Sequence, residues 1–138
     1  MTQALLDTGA LVALVNRADR HHSAAAAWFA SVRSGLLTTE AVVTEASYVL
    51  AASPKHQRAA LQWVQRARAA NLLSIKAVSD HDAIAKIIDR YASLPCDYAD
   101  ATLIALAEHT GVAAIATIDQ RDFSVYRIHG RKRFRILF

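Results

Sequence analysis

Cysteine, proline and glycine are all scarce in this sequence of 138 residues, which contains one cysteine, two prolines and four glycines. The lone thiol, Cys96, cannot form a disulfide within the chain or complete a cysteine-rich zinc site, so a reducing cytoplasm is the expected compartment. No glycine- or proline-rich linker, repeat or low-complexity tract divides the sequence. The sequence therefore predicts a single domain over residues 1–138.

Long apolar runs are also absent. The apolar stretch over residues 4–15 is interrupted by Asp7, and it lacks the basic flank and the cleavage site of a signal peptide. No segment has the roughly 20 consecutive apolar residues that a membrane-spanning helix needs, so no membrane association is expected. The composition, 54% hydrophobic and 20% charged, is that of a folded globular protein rather than a disordered chain.

Positive charge is concentrated near the C-terminus. The 16 Lys and Arg residues exceed the 12 Asp and Glu residues, which gives a net charge of +4. From residue 121 onward a single acid, Asp122, accompanies six bases, which are Arg121, Arg127, Arg131, Lys132, Arg133 and Arg135. Such a basic arm is either a solvated surface or a contact for phosphate groups, and the charge alone does not decide between them.

Strand-like apolar runs alternate with helical periodicities along the chain. Strands are predicted over residues 4–6, 36–38, 72–75 and 113–116, with shorter late strands over 125–128 and 134–137. Helices are predicted over residues 10–16, 23–32, 39–52, 55–70, 79–92 and 97–110. This alternation predicts an α/β fold, a three-layer α/β/α sandwich with a mainly parallel central sheet.

Two aspartates follow predicted strands, at the edge of the sheet where open α/β folds bind ligands. Asp7 follows the first strand, and Asp119 follows the strand over residues 113–116. Asp7 could also be the N-cap of the next helix, and this structural role is favoured when that residue is considered alone.

Three further acids lie on predicted helices. Asp97 and Asp100 are spaced as the N-cap and the first turn of one helix, and Asp100 lies on the face that carries the apolar residues of that helix. Glu45 lies at the rim of an apolar stripe, where a glutamate is usually solvated. Two carboxylates at about 4 Å repel each other by roughly 4 kcal/mol, so several of them in one cleft require protons or a cation. Carboxylate oxygens favour Mg²⁺ or Mn²⁺, and the six histidines show no zinc-ligand pattern.

Four motifs occur in order along the chain: LLDTGAL at residues 5–11, TEASY at 44–48, DYADA at 97–101 and ATIDQRDF at 116–123. Together they resemble the PIN-domain ribonucleases and, at this chain length, the VapC-type toxins of prokaryotic toxin–antitoxin pairs. The resemblance places the catalytic, metal-binding acids of the family at Asp7, Glu45, Asp100 and Asp119. It also implies supporting roles for Thr8, Asp97 and Thr117, while Asp122 is expected mainly to structure its loop.

The resemblance implies an endoribonuclease that uses Mg²⁺ or Mn²⁺ to hydrolyse RNA phosphodiester bonds and leaves 5′-phosphate and 3′-hydroxyl ends. It also implies a homodimer and a cognate antitoxin protein that blocks the cleft. Because an acidic cleft needs nearby positive charge to attract a polyanion, RNA contacts are expected from the basic arm. The candidate residues are Arg121, Arg127, Arg131, Lys132 and Arg133.

Other functional classes fit less well. An aspartyl-phosphate phosphohydrolase normally has a second acid two residues after the strand-terminal aspartate, where this sequence has Gly9. A dinucleotide-binding domain would have a GxGxxG motif opening a helix, and none is present. A non-catalytic PIN-like RNA-binding or regulatory module stays open as the alternative to an enzyme.

Overall fold

A five-stranded parallel sheet forms the centre of the structure, a computed structural model that describes residues 3–138. The strands along the described chain are β1 (Ala4–Leu6), β2 (Leu36–Thr39), β3 (Leu73–Lys76), β4 (Ala114–Ala116), β5 (Arg127–Ile128), β6 (Lys132–Arg133) and β7 (Arg135–Ile136). The sheet has the order β3-β2-β1-β4-β7, and each neighbouring pair is parallel. The two remaining strands, β5 and β6, form a separate antiparallel hairpin.

Helices connect these strands. They are α1 (Thr8–Val15), α2 (His22–Ala30), α3 (Glu40–Val49), α4 (Pro54–Ala69), α5 (His81–Arg90), α6 (Tyr98–Thr110) and α7 (Gln120–Val125). Several begin at the polar caps that the sequence contains: Ser53 precedes α4, Asp80 precedes α5 and Asp97 precedes α6. Gly111 ends α6 with φ of 77°, a left-handed conformation that glycine adopts without steric cost.

The sheet buries both of its faces, because side chains alternate along β1. Leu5 belongs to a core with Ile104 of α6 and Ile87 of α5. Leu6 belongs to the opposite core, together with Leu11 of α1 and Val64 of α4. Helices therefore cover both sides of the sheet, and the predicted three-layer sandwich with a parallel centre is confirmed.

The prediction for residues 125–128 was wrong in part. This segment was expected to be a strand, but Val125 ends helix α7, and only Arg127–Ile128 forms β5. The Asp119 carboxylate accepts a hydrogen bond from the Asp122 amide at 3.3 Å, which caps a helix too short for an apolar period to reveal.

The last predicted strand is present. Within 134–137, Arg135–Ile136 forms β7, which lies at the edge of the sheet beside β4. Of the helices within residues 3–138, none combines the length and the apolar character needed to traverse a lipid bilayer.

Candidate active site

Asp7 lies at the carboxyl end of β1 and caps helix α1. Its side chain is almost fully buried, with 4% of its surface exposed. The Thr8 amide donates a hydrogen bond to Asp7 Oδ1 at 2.8 Å, and the Thr117 hydroxyl donates to Oδ2 at 2.6 Å. Burial raises the pKa of Asp7 from 3.8 to about 6, and these two hydrogen bonds oppose the rise. Asp7 is therefore the predicted N-cap of α1, and its carboxylate is also desolvated at the edge of the sheet where α/β folds bind ligands.

The first turn of α6 places Asp100 beside Asp7. Asp97 caps this helix by accepting a hydrogen bond at 2.8 Å from the Asp100 amide. The Asp100 side chain is half-buried, and the Tyr126 hydroxyl lies 3.1 Å from its Oδ2. Burial, followed by the charges of Asp7 and Asp97, raises the pKa of Asp100 to about 8. The carboxylate thus lies in a partly dry, negatively charged setting in which its ionised form needs a counter-charge.

Helix α7 adds two more carboxylates. Asp119 is its cap, and the Thr117 hydroxyl accepts a hydrogen bond at 2.9 Å from the Asp119 amide. Three aspartates contribute one carboxylate oxygen each to a compact cluster, and these three oxygens lie within 4.8 Å of one another. The three residues are Asp100, Asp119 and Asp122. The Asp122 carboxylate therefore belongs to the acid cluster, and the residue itself lies in a helix rather than in the loop that was expected.

Glu45 approaches the same site from α3. It is half-buried at the rim of its helix, and burial followed by the neighbouring Asp97 raises its pKa to about 7. The Thr8 hydroxyl is close enough to lower the pKa of Glu45, yet Thr8 Oγ1 is buried and has no partner at hydrogen-bonding distance among the described residues. An orphaned hydroxyl at this position fits a site that admits water or a hydrated ion.

The predicted acids come together to different degrees. Asp100 and Asp119 share the three-carboxylate cluster with Asp122. Asp7 and Glu45 are not members of that cluster, but their charges raise the pKa of Asp100. The structure therefore gathers the predicted residues at one edge of the sheet, with Asp122 as an additional member.

No basic side chain neutralises these acids within the described chain. The ion pairs found over residues 3–138 join Glu108 to Arg90 and to His129, on a different part of α6. Like charges held this close without a basic partner require protons or a cation. The donor set consists of carboxylate and hydroxyl oxygens, which suits a hard divalent cation such as Mg²⁺ or Mn²⁺.

A cavity of about 750 Å³ lies beside the acids. Glu45 and Asp97 form part of its wall, and Lys76, Tyr48 and Tyr98 also line it. Tyr48 is 80% exposed and Tyr98 is 46% exposed. The site is therefore open on this side to a ligand larger than an ion.

The basic arm forms much of the β5–β6 hairpin. Four of its predicted RNA-binding side chains are exposed, namely those of Arg121, Arg131, Lys132 and Arg133. Arg127 differs, because its Nη1 donates to the carbonyl oxygens of Ser124, Val125 and Tyr126 at 2.8–3.1 Å. These carbonyls end helix α7, so Arg127 has a structural contact that its place in a charge pattern did not indicate.

Comparison with known proteins decides the family. A model of the PIN domain matches residues 4–128. The chain belongs to the PIN-domain family. Ribonuclease VapC26 of Mycobacterium tuberculosis is 27% identical to this PIN domain over 133 residues, which covers 96% of this chain and 98% of the relative. The crystal structure of VapC20 from the same organism, described as a sarcin–ricin-loop-cleaving toxin, has a TM-score of 0.73 and 22% identity, with 85% of this chain and 90% of that chain covered.

Sequence reasoning missed one residue that contacts the acids of this PIN domain and misjudged the surroundings of another. Tyr126 was assigned to a strand, and nothing nearby in the sequence points to Asp100 as its partner. Asp122 carried a usable signal, because Asp119 and Asp122 have the spacing of an N-cap and the third residue of a helix. That spacing could have predicted α7 and brought Asp122 beside Asp119.

Proposed function

We propose that this PIN domain is a metal-dependent endoribonuclease that acts as the toxin of a toxin–antitoxin pair, and that residues 1–138 work as a single nuclease domain. One observation carries the proposal: Asp100, Asp119 and Asp122 bring carboxylate oxygens within 4.8 Å of one another, and no basic side chain of the described chain pairs with them. The resemblance to VapC26 and VapC20, whose names describe a ribonuclease and an RNA-cleaving toxin, supports the same activity.

The proposed cofactor is Mg²⁺ or Mn²⁺. Asp7, Glu45, Asp100 and Asp119 are the proposed ligands and catalytic residues, with Asp122 added from the geometry. When bound, a divalent ion supplies positive charge that stabilises the transition state of phosphodiester hydrolysis and makes water easier to deprotonate. The charge of the ion also allows the neighbouring carboxylates to ionise together at neutral pH.

The residues of the protein hold the site in place and handle protons. Thr117 joins two ligands, because its hydroxyl donates to Asp7 and accepts from the Asp119 amide. Thr8 contributes its amide to Asp7 and leaves a free hydroxyl beside Glu45. In the ion-free site, burial raises the pKa of Glu45 to about 7, so this carboxyl group exchanges a proton near neutral pH and must lose it when an ion binds. Asp97 supports the site as the cap of α6, where it fixes the amide of Asp100.

The RNA is proposed to reach the acids across the basic arm. The contacts are assigned to Arg121, Arg127, Arg131, Lys132 and Arg133. The exposed members can bind phosphate oxygens directly, while Arg127 has one nitrogen committed to the end of α7. A cognate antitoxin protein, a homodimer and action in the cytoplasm complete the proposal.

Cleavage of labelled total cellular RNA over a Mg²⁺ and Mn²⁺ titration tests the activity. The wild-type protein should cut only when the ion is present and should leave 5′-phosphate ends. Asp100→Asn should lower the rate at least a hundredfold, since one ligand loses its charge. The matched control is Asp89→Asn, which removes an exposed carboxylate from α5, away from the acid cluster.

Three results would contradict the proposal. Cleavage at the same rate in chelator would exclude a metal-dependent nuclease. RNA binding without cleavage at any ion concentration would instead favour the non-catalytic PIN-like module. Equal losses in Asp100→Asn and Asp89→Asn would show that the acid cluster has no special part in the reaction.

A further inference from the structure

Tyr126 is a wholly buried residue whose ring is held firmly in place. It follows helix α7 directly and is 0% exposed. The Phe123 ring meets it edge-on at 5.0 Å between centroids, and the Tyr91 ring meets it at 4.9 Å with an interplanar angle of 63°. Such edge-to-face contacts stabilise one ring orientation. The position of the Tyr126 hydroxyl is therefore set by the aromatic core rather than by the acids.

This hydroxyl lies at the back of the acid cluster. It donates to the carbonyl oxygen of Pro95 at 2.8 Å and lies 3.1 Å from Asp100 Oδ2. A phenol has a single proton to donate. When Asp100 is ionised, a hydrogen bond to its carboxylate is the stronger of the two, because charge-assisted bonds exceed neutral ones. An ionised Asp100 thus draws the proton of Tyr126 toward Oδ2.

The hydrogen bond from Tyr126 fixes one oxygen of the Asp100 carboxylate. Tyr126 holds Oδ2, and no described residue donates a hydrogen bond to Oδ1. Without Tyr126, rotation of the carboxyl group would exchange the two oxygens freely. With Tyr126, the group keeps one orientation in which it approaches Asp119 and Asp122.

We infer that Tyr126 is a positioning residue for the divalent-cation site: its hydroxyl bonds to Oδ2 and so fixes the orientation in which the Asp100 carboxylate is presented as a ligand. This inference rests on the proposed function. Groups that orient metal ligands typically change metal affinity by about 10- to 100-fold when they are removed. Tyr126→Phe deletes the hydroxyl and keeps the ring, so it should weaken ion binding while leaving the aromatic core packed.

The structure offers a matched control in Tyr91. Its ring belongs to the same aromatic group, and its hydroxyl is also partly buried. That hydroxyl accepts a hydrogen bond from the Arg127 amide at 2.7 Å and lies 3.3 Å from the Arg127 carbonyl oxygen. Both of these hydrogen bonds are to the backbone of Arg127, and the hydroxyl also interacts with the Arg90 guanidinium. Tyr91→Phe therefore removes a comparable phenol hydroxyl that contacts no carboxylate.

The experiment measures Mn²⁺ binding to the full chain by electron paramagnetic resonance and calorimetry, with no RNA present. Urea unfolding in chelator reports the stability of each variant separately. Tyr126→Phe should bind Mn²⁺ about tenfold or more weakly than the wild type, and Tyr91→Phe should stay within about twofold of it. Both variants should lose a similar amount of stability, because each loses the hydrogen bonds of one hydroxyl.

A second comparison uses Asp100→Glu, whose longer side chain moves the carboxylate away from Tyr126. If Tyr126 acts through Asp100, adding Tyr126→Phe to this variant should weaken Mn²⁺ binding no further. Additive losses would overturn the inference, as would Mn²⁺ affinity within twofold of wild type in Tyr126→Phe, or an equal loss in Tyr91→Phe. A wild-type protein that binds no Mn²⁺ would overturn the metal site and the proposed function themselves, which is a different result from unequal binding by the variants.

Discussion

Replacing Asp7 with asparagine should stabilise the metal-free protein at alkaline pH while abolishing the proposed activity. The substitution keeps the size of the side chain and removes a negative charge from a buried position. Asparagine can still accept a hydrogen bond from the Thr8 amide, but its amide nitrogen must then face the Thr117 hydroxyl. The variant therefore replaces a desolvated negative charge with a neutral amide, whose interaction with the Thr117 hydroxyl is weaker than that of the carboxylate.

The size and sign follow from the pKa of Asp7, which burial raises from 3.8 to about 6. Below about 3.8 the folded and unfolded chains both bind the proton, so the raised pKa costs no stability. Between the two values only the folded chain keeps it, so the free energy of unfolding falls as pH rises, and the full penalty is present above about 6. That penalty is about 3 kcal/mol, at roughly 1.4 kcal/mol for each pKa unit.

The hydrogen bond lost with Thr117 offsets part of this gain, by about 1–2 kcal/mol. Asp7→Asn should therefore be about 1–2 kcal/mol more stable than the wild type near pH 8 and about 1 kcal/mol less stable near pH 4. Urea unfolding in chelator at both pH values measures the two differences. Adding Mg²⁺ near pH 8 should stabilise the wild type and leave the variant unchanged.

The control for this prediction is Asp89→Asn, which removes an exposed carboxylate and should change the free energy of unfolding only slightly. An Asp7→Asn effect that does not change between pH 4 and pH 8 would refute the reasoning. So would a variant less stable than the wild type at pH 8, because burial would then carry no electrostatic cost.

Three further predictions concern other parts of the molecule. The first prediction concerns four exposed bases of the arm, Arg121, Arg131, Lys132 and Arg133. Neutralising all four should weaken RNA binding, as measured by filter binding, and should make the affinity less dependent on salt concentration. The control substitution Arg58→Gln on α4 should change neither the affinity nor its salt dependence. Gly9→Ala should lower the free energy of unfolding by about 1 kcal/mol in denaturant titrations, because the added Cβ would collide with Ile118 Cγ1 and lie 2.8 Å from its Cδ1. Mn²⁺ affinity, measured by calorimetry, should rise between about pH 6 and pH 8, because the raised pKa of Asp100 makes protons compete with the ion until that carboxyl ionises; a flat profile would contradict this.

The sequence predicted the parts of the site that rest on local patterns. Asp7 follows a short apolar run that indicated a buried strand, and Asp97 and Asp100 begin a helix whose apolar face is continuous. Such features depend on residues within a few positions of one another, where strand and helix periods are visible. The parallel character of the central sheet also followed from the alternation of strands with helices, since parallel neighbours need crossover connections.

The remainder of the site depends on contacts between distant residues. Helix α7 is six residues long and ends at Val125, which Tyr126 follows directly, and this pair is more typical of a strand. The N-cap Asp119 favours a helix in spite of this strand preference, and the resulting helix places Asp122 beside the other two aspartates of the cluster. The bond from Tyr126 to Asp100 spans 26 residues of chain and obeys no periodicity. The hydrogen bonds from Arg127 to the carbonyl oxygens at the end of α7 could not be predicted from the distribution of charge along the sequence either.

Helix α7 supplies two of the three clustered carboxylates, and it does so from residues 119 and 122 of a 138-residue chain. During synthesis, a nascent polypeptide can therefore assemble the full set only after residue 122 has been added. Products of premature termination upstream of residue 119 lack both aspartates and the tyrosine behind them. A nascent polypeptide therefore lacks the proposed metal site until helix α7 has been synthesised.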